Sequence, residues 1–110
     1  MFMPFDVVVV PFPYSDRLSE KRRPALVVST RDLPDVLGRV WLAMITSVSP
    51  GQLGDALITD LADAGLPVRS TLRASKLATI DADRVLRRLG RLSSRDEASA
   101  LIALRACAAF

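Results

Sequence analysis

The chain has 110 residues, half of them hydrophobic and a quarter charged, which suits one globular domain and excludes a second domain or a disordered chain. It has no histidine and a single cysteine, Cys107, so a Ser–His–Asp triad, a Cys–His pair, a two-histidine ribonuclease site and an internal disulfide are excluded. Fifteen basic residues face twelve acidic ones, and thirteen of the fifteen are arginine, which holds phosphate through two parallel hydrogen bonds.

The first eighty residues predict short strands separated by turns. The first strand, at 6–12, contains four consecutive valines, which indicate burial on both faces of a sheet. The polar stretch 13–22 predicts a loop, and 31–38, with its proline and glycine, predicts a connection. Further strands are predicted at 23–30, 39–48, 55–61, 68–74 and 76–80.

The last thirty residues change to a helical period. Apolar residues at helical spacing predict a helix over 82–89, with Asp81 as N-cap and Gly90 as stop. A final helix is predicted from a capping box, formed by either Ser93 with Asp96 or Ser94 with Glu97.

Short strands followed by helices favour a mainly β fold with C-terminal helices, in the form of a small, partly open SH3-like β-barrel. No apolar run reaches the roughly 20 residues of a membrane-spanning helix. The apolar N-terminus lacks a basic region and is interpreted as a strand rather than a signal peptide. We therefore expect a cytoplasmic protein with no membrane partner.

Three consecutive cations, Lys21, Arg22 and Arg23, stand at the start of the second predicted strand. They cannot all be buried, so at least one faces a cleft or solvent. If the second and third strands pair in antiparallel fashion with residue 30 opposite residue 39, then Arg23 lies opposite Thr46, because the residue numbers sum to 69 in both pairs. Directly opposed residues share one face of a sheet, with Cβ atoms roughly 5 Å apart.

A guanidinium beside a hydroxyl suits cleavage of RNA without a metal. The ribose 2′-hydroxyl attacks the adjacent phosphorus and leaves a cyclic phosphate and a 5′-hydroxyl end. A well-aimed guanidinium can stabilise the phosphorane by about 3–4 kcal/mol, and the hydroxyl of Thr46 or Ser47 can hold a non-bridging oxygen. Arginine is a poor general base because its pKa exceeds about 12, so the proton acceptor stays unassigned.

Five segments in the same order resemble the MazF/PemK family of toxin–antitoxin ribonucleases: DVVVVPFPYSD at the start, KRRPALVVS, ITS at 45–47, KLATID at 76–81 and RLGRLS at 88–93. The resemblance implies an SH3-like barrel of the MazF/PemK/CcdB type, a homodimer, and selective cleavage of single-stranded RNA without metal or cofactor. It also implies inhibition by a cognate antitoxin whose tail lies along the toxin dimer. The family's catalytic arginine falls on Arg23 and its catalytic threonine on Thr46. Phe5 stands where the family often has glycine, which predicts a different start to the first strand.

Several further side chains are candidate RNA contacts. Ser47 and Ser70 could contact the substrate, and phosphates could be held by Lys21, Arg22, Arg73 and Lys76. For each cation the alternative is a solvated surface position. Phe12 and Tyr14 could stack a base. The arginines of the predicted helix region, Arg84, Arg87, Arg88 and Arg91, are interpreted as a solvated helix face.

Two other functions remain open. The same barrel could inhibit a protein target, as gyrase-poisoning toxins do, or it could be an SH3-like domain that binds RNA and leaves it intact. The pairing of Arg23 with Thr46 favours the enzyme, because a protein-binding barrel has no need of it.

Overall fold

The computed structural model describes residues 2–11 and 21–110. Its strands are β1 Asp6–Pro11, β2 Arg22–Val27, β3 Arg39–Thr46, β4 Asp55–Ile58, β5 Ser70–Asp81 and β6 Arg87–Arg91. They form one sheet in the order β4-β5-β3-β2-β1-β6, and every neighbouring pair is antiparallel. The sheet curls into a half-barrel that is open between β4 and β6, which confirms the predicted mainly β, partly open barrel.

Three short helical segments connect strands: a π-helical turn at Leu33–Leu37, α1 at Leu61–Ala64 and a 3-10 turn at Ala82–Arg84. One longer helix, α2, spans Ser94–Cys107. The predicted final helix is confirmed, and its cap is the first alternative, because Ser93 Oγ accepts a hydrogen bond from the Asp96 amide at 3.2 Å. Across the described ranges no helix has the length and apolar character needed to cross a bilayer.

The core lies on both faces of the sheet, as the valine run predicts. In β1, Val7 packs into the cluster that α2 covers, whereas Val8 and Val10 pack into a second cluster on the opposite face. All three valines are fully buried. The remaining valine, Val9, is partly exposed and turns toward the cavity described below.

A buried carboxylate fastens α2 to the sheet. Asp96 is 2% exposed and accepts hydrogen bonds from the Thr59 amide, the Thr59 hydroxyl and the Asp60 amide at 2.8–3.1 Å. Thr59 and Asp60 connect β4 to α1. The first turn of the last helix therefore fixes the path of the chain between β4 and α1.

Two glycines allow α1 to lie directly against β6. A Cβ atom on Gly90 would meet the backbone of Asp63 and Ala64, and one on Gly65 would meet the backbone of Leu89. Gly65 also has φ +72°, in the left-handed region that favours glycine. This close approach sets the position of the segment that follows α1.

The predicted helix over 82–89 is wrong. Only Ala82–Arg84 is helical, as a single 3-10 turn, and Arg87–Arg91 form β6, which pairs with β1. The reason is tertiary: β1 is buried on both faces and pairs on one side with β2, so its other edge takes β6 as a partner. That pairing outweighs the local helical period.

The two strands predicted at 68–74 and 76–80 are one strand, β5. The pairing of β5 with β3 shifts register, however, from Ala43↔Leu77 to Met44↔Arg73. Residues 74–76 bulge out of this ladder at the place where the sequence predicts a break.

The strands predicted at 39–48 and 55–61 end earlier than predicted, and β2 runs from Arg22, the last residue of the predicted loop, to Val27 rather than over 23–30. The stretch 31–38 contains the π-helical turn. Phe5 has φ +72°, the region that favours glycine, and backbone hydrogen bonds to Val27 and Leu92 hold it there. The end of the first predicted strand at Phe12, the loop predicted from residue 13, and the stacking roles of Phe12 and Tyr14 lie outside the described residues.

Candidate active site

A cavity of about 490 Å³ opens at one end of the half-barrel. The ends of β3, β2, β1 and β6 form one wall, and the segment from Gly65 to Ser70 forms the other. The sheet side contributes Val9, Arg22, Arg23, Pro24, Ile45, Thr46, Ser47, Arg87 and Leu89, and the opposite side contributes Gly65, Leu66, Pro67, Val68 and Ser70. The site thus draws on five of the six strands, β1, β2, β3, β5 and β6.

The polar groups of the cavity are cations and hydroxyls. Three arginines and three hydroxyl side chains line it, and no carboxylate is among the described lining residues. Within residues 2–11 and 21–110, no three acidic or cysteine side chains come together as a metal site requires. The cavity is therefore suited to an anion.

The predicted register of β2 and β3 is confirmed. The paired residues are Ala25↔Met44, Leu26↔Ala43 and Val27↔Leu42, each summing to 69. The paired ladder ends at Ala25↔Met44; the same register extended by two residues toward the cavity corresponds to Arg23 opposite Thr46, and both residues line the cavity. Arg23 lies in β2 and Thr46 in β3, so both are held at the cavity by strands rather than by loops.

The hydroxyl of Thr46 is oriented by the backbone beyond its strand. Its Oγ1 accepts a hydrogen bond from the Val48 amide at 3.2 Å. That bond occupies a lone pair and leaves the hydroxyl proton available for donation to a bound group. Thr46 is half-buried, so a molecule in the cavity can reach it.

The other side chains predicted to contact RNA at this end of the sheet differ in their exposure to solvent. Arg22 and Ser47 are exposed and line the cavity. Ser70 also lines it, but it is 4% exposed and its hydroxyl donates to the Val68 carbonyl at 2.8 Å. Ser70 therefore shapes the wall. Lys21 is exposed just before β2 and is not among the lining residues.

Two predicted phosphate contacts are not brought to the cavity. Arg73 donates to both carboxylate oxygens of Asp55 at 3.1 Å, and both side chains are largely buried. The Arg73 hydrogen bond lowers the pKa of Asp55 to about 2, with help from the amides of Gly51 and Gln52, while burial opposes the shift. Lys76 is exposed on the bulged part of β5.

One cavity residue, Arg87, was not predicted as a contact. The sequence interpretation places it on a solvated helix face, whereas the structure places it in β6 opposite Val9. The available signal was β1 itself: a strand buried on both faces needs partners on both edges. That requirement pointed to a further strand without identifying it.

Residues 3–107 match the sequence profile of a family described as PemK-like, MazF-like toxins of type II toxin–antitoxin systems. The match spans nearly the whole chain and includes all the cavity residues named above. No protein of curated function matches the sequence significantly.

Solved structures resemble this fold closely at low sequence identity. A mycobacterial endoribonuclease in complex with its cognate antitoxin superposes with a TM-score of 0.80 at 16% identity, covering 97% of this chain and 94% of that one. Toxin MazF-mt6 of Mycobacterium tuberculosis gives 0.72 at 22% identity, with coverages of 90% and 91%. A MazE–MazF structure from Deinococcus radiodurans gives 0.69 at 22% identity, with coverages of 93% and 89%.

Proposed function

The chain belongs to the family of PemK-like, MazF-like toxins of type II toxin–antitoxin systems, and on this premise we propose that it is an endoribonuclease that cleaves single-stranded RNA in the arginine-lined cavity. The observation that supports the proposal is that Arg23 and Thr46, on the neighbouring strands β2 and β3, line one anion-suited cavity. Solved neighbours of the same fold include an endoribonuclease.

In the proposed reaction the ribose 2′-oxygen attacks the adjacent phosphorus, its proton leaves to an acceptor, and the bond to the 5′-oxygen breaks as that oxygen takes up a proton. The products are a 2′,3′-cyclic phosphate and a 5′-hydroxyl end. Arg23 stabilises the negative charge on the non-bridging oxygens, an effect worth about 3–4 kcal/mol for one well-placed donor. Thr46 donates its hydroxyl proton to one of the same oxygens, since the Val48 amide occupies only a lone pair of Oγ1. We assign no general base and no metal ion.

The remaining residues at the cavity bind rather than react. Arg22 and Ser47 hold the RNA backbone, Lys21 adds positive charge at the rim, and Ser70 keeps the opposite wall in place. Phosphate contacts of this kind position a strand without reading its bases. Selectivity for a target motif therefore comes from contacts other than these.

The family also supplies the partner classes. We propose a homodimer that a cognate antitoxin inhibits, because structurally similar toxins are known in complex with a cognate antitoxin or with MazE. The basic cavity favours an acidic antitoxin segment. The cytoplasmic location stays a prediction.

The test is incubation of the purified protein with a long single-stranded RNA in EDTA, followed by mapping of the ends. We expect cleavage at a short motif with 5′-hydroxyl ends, abolished in Arg23→Ala and strongly reduced in Thr46→Val. Arg105→Ala is the matched control, because Arg105 is exposed on α2 and outside the cavity.

The alternatives give different results. Intact RNA together with inhibited DNA supercoiling would identify a toxin that acts on a protein target. Salt-sensitive binding of RNA that stays intact would identify a binding domain. Either result refutes the nuclease.

A further inference from the structure

Arg87 extends the basic lining of the cavity to the far edge of the sheet. In β1, Val9 pairs with Pro24 of β2 on one side and with Arg87 of β6 on the other. Directly opposed residues share a face, so these three side chains form a row across three strands, and all three line the cavity. At roughly 4.8 Å per strand, Arg87 starts about 10 Å from β2.

Arg23 approaches the cavity differently. Its partner in β1 is Val10, which is buried on the sheet face opposite to that of Val9. Because side chains alternate along a strand, Arg23 and Arg87 leave the sheet on opposite faces. Two guanidiniums that enter one cavity from separate faces and separate strands suit two successive anions on an extended chain better than one shared anion.

The arginines of the sheet differ in their partners. The other two arginines of β6, Arg88 and Arg91, both donate to Asp6 at 3.2 Å. Arg87 is exposed and, within the described part of the chain, forms no ion pair or side-chain hydrogen bond. Its charge is directed to the cavity, whose described lining contains no carboxylate to neutralise it.

We propose that Arg87 is a second phosphate-binding subsite, which holds a backbone phosphate of the RNA other than the one at the cleaved bond. The inference rests on the proposed nuclease function and adds a substrate contact to it. Arg87 acts as a binding residue that contributes to affinity along the strand. It takes no part in the bond-breaking step.

The test combines Arg87→Ala with a scan of the substrate. In a fixed oligoribonucleotide that contains the cleavage motif, each phosphate is replaced in turn by an uncharged methylphosphonate. We expect Arg87→Ala to raise KM about fivefold with kcat unchanged, and to reduce the slope of log affinity against log salt by about 0.7. One phosphate away from the cleaved bond should raise KM when neutralised in the wild-type protein but not in Arg87→Ala.

Further variants separate binding from folding. Arg87→Lys should recover most of the affinity, because a point charge can hold a phosphate at the rim. Arg105→Ala should match wild type throughout, and the melting temperature of Arg87→Ala should be no lower than that of wild type.

Two outcomes would overturn the subsite: an unchanged KM and salt slope in Arg87→Ala, or a drop in kcat that maps to the cleaved phosphate itself. If the wild-type protein leaves every RNA intact, the nuclease proposal fails instead, so the two failures are distinguishable.

Discussion

Individual arginines in this molecule differ in whether a carboxylate neutralises them. Arg73 forms a salt bridge with Asp55, and both side chains are largely buried. The three arginines that line the cavity have no carboxylate partner among the described residues: Arg22, Arg23 and Arg87. An ion-paired guanidinium holds elements together, while an unpaired one can bind an external anion. The same residue type thus has a structural role at one position and a binding role at another.

At Arg23 the shape of the side chain should matter as much as its charge. Arg23→Lys keeps a positive charge but replaces the planar fork with a single ammonium group. We expect kcat to fall by about 10²-fold, the range associated with loss of one aimed donor at a developing oxyanion. Near-normal single-turnover cleavage by Arg23→Lys would contradict a bidentate role.

Thr71 should limit stability. Thr71 lies in β5 opposite Thr46 of β3. Its Oγ1 atom is buried and has no hydrogen-bond partner in the described part of the chain. An unsatisfied buried hydroxyl costs about 1–3 kcal/mol, and valine removes it with little change of shape. We expect Thr71→Val to raise the free energy of unfolding by about 1 kcal/mol in urea titration. Thr79→Val, at an exposed position of the same strand, should change it little, and a destabilised Thr71→Val would show that the hydroxyl has a partner in solution.

The element that orients the far wall of the cavity is the contact between α1 and β6. We expect Gly90→Ala to destabilise the fold by about 1–3 kcal/mol, because the added methyl meets the backbone of Asp63 and Ala64. Gly51→Ala is the matched control, since nothing lies within 4 Å of its Cβ position. The measurement is thermal unfolding of both variants, and equal melting temperatures would mean that α1 can move away from β6 without cost.

The sequence predicts an element correctly where its local pattern favours the same secondary structure as the tertiary packing. The valines of β1, the pairing of β2 with β3 and the cap of α2 follow from alternation, register and side-chain chemistry, so Arg23 and Thr46 could be brought together from the sequence. The segment 82–91 could not be assigned, because its local period favours a helix and only the unpaired edge of β1 makes it a strand. For that reason the sequence does not indicate Arg87 as a cavity residue. It also does not show that Arg73 is paired, because its partner Asp55 lies 18 positions away.

For the molecule as a whole, acid stability should depend on Asp55. Its folded-state pKa of about 2 lies below the ordinary aspartate value of 3.8, so the unfolded chain binds the proton more readily. The stabilisation is therefore fully present above pH 3.8 and is lost as the pH falls through about 2. We expect Asp55→Asn to be less stable than wild type at pH 7, with the difference shrinking between pH 4 and 2. A difference in melting temperature between Asp55→Asn and wild type that stays the same from pH 7 to pH 2 would contradict this.

The three arginines that line the cavity couple ligand binding to the stability of the fold. Like charges that converge on one cavity repel each other, and a bound polyanion relieves this repulsion only in the folded state. By linkage, whatever binds there must shift the folding equilibrium toward the native form. A thermal-shift screen of oligonucleotides and acidic peptides would then rank ligands by the rise in melting temperature, including those that the protein never cleaves.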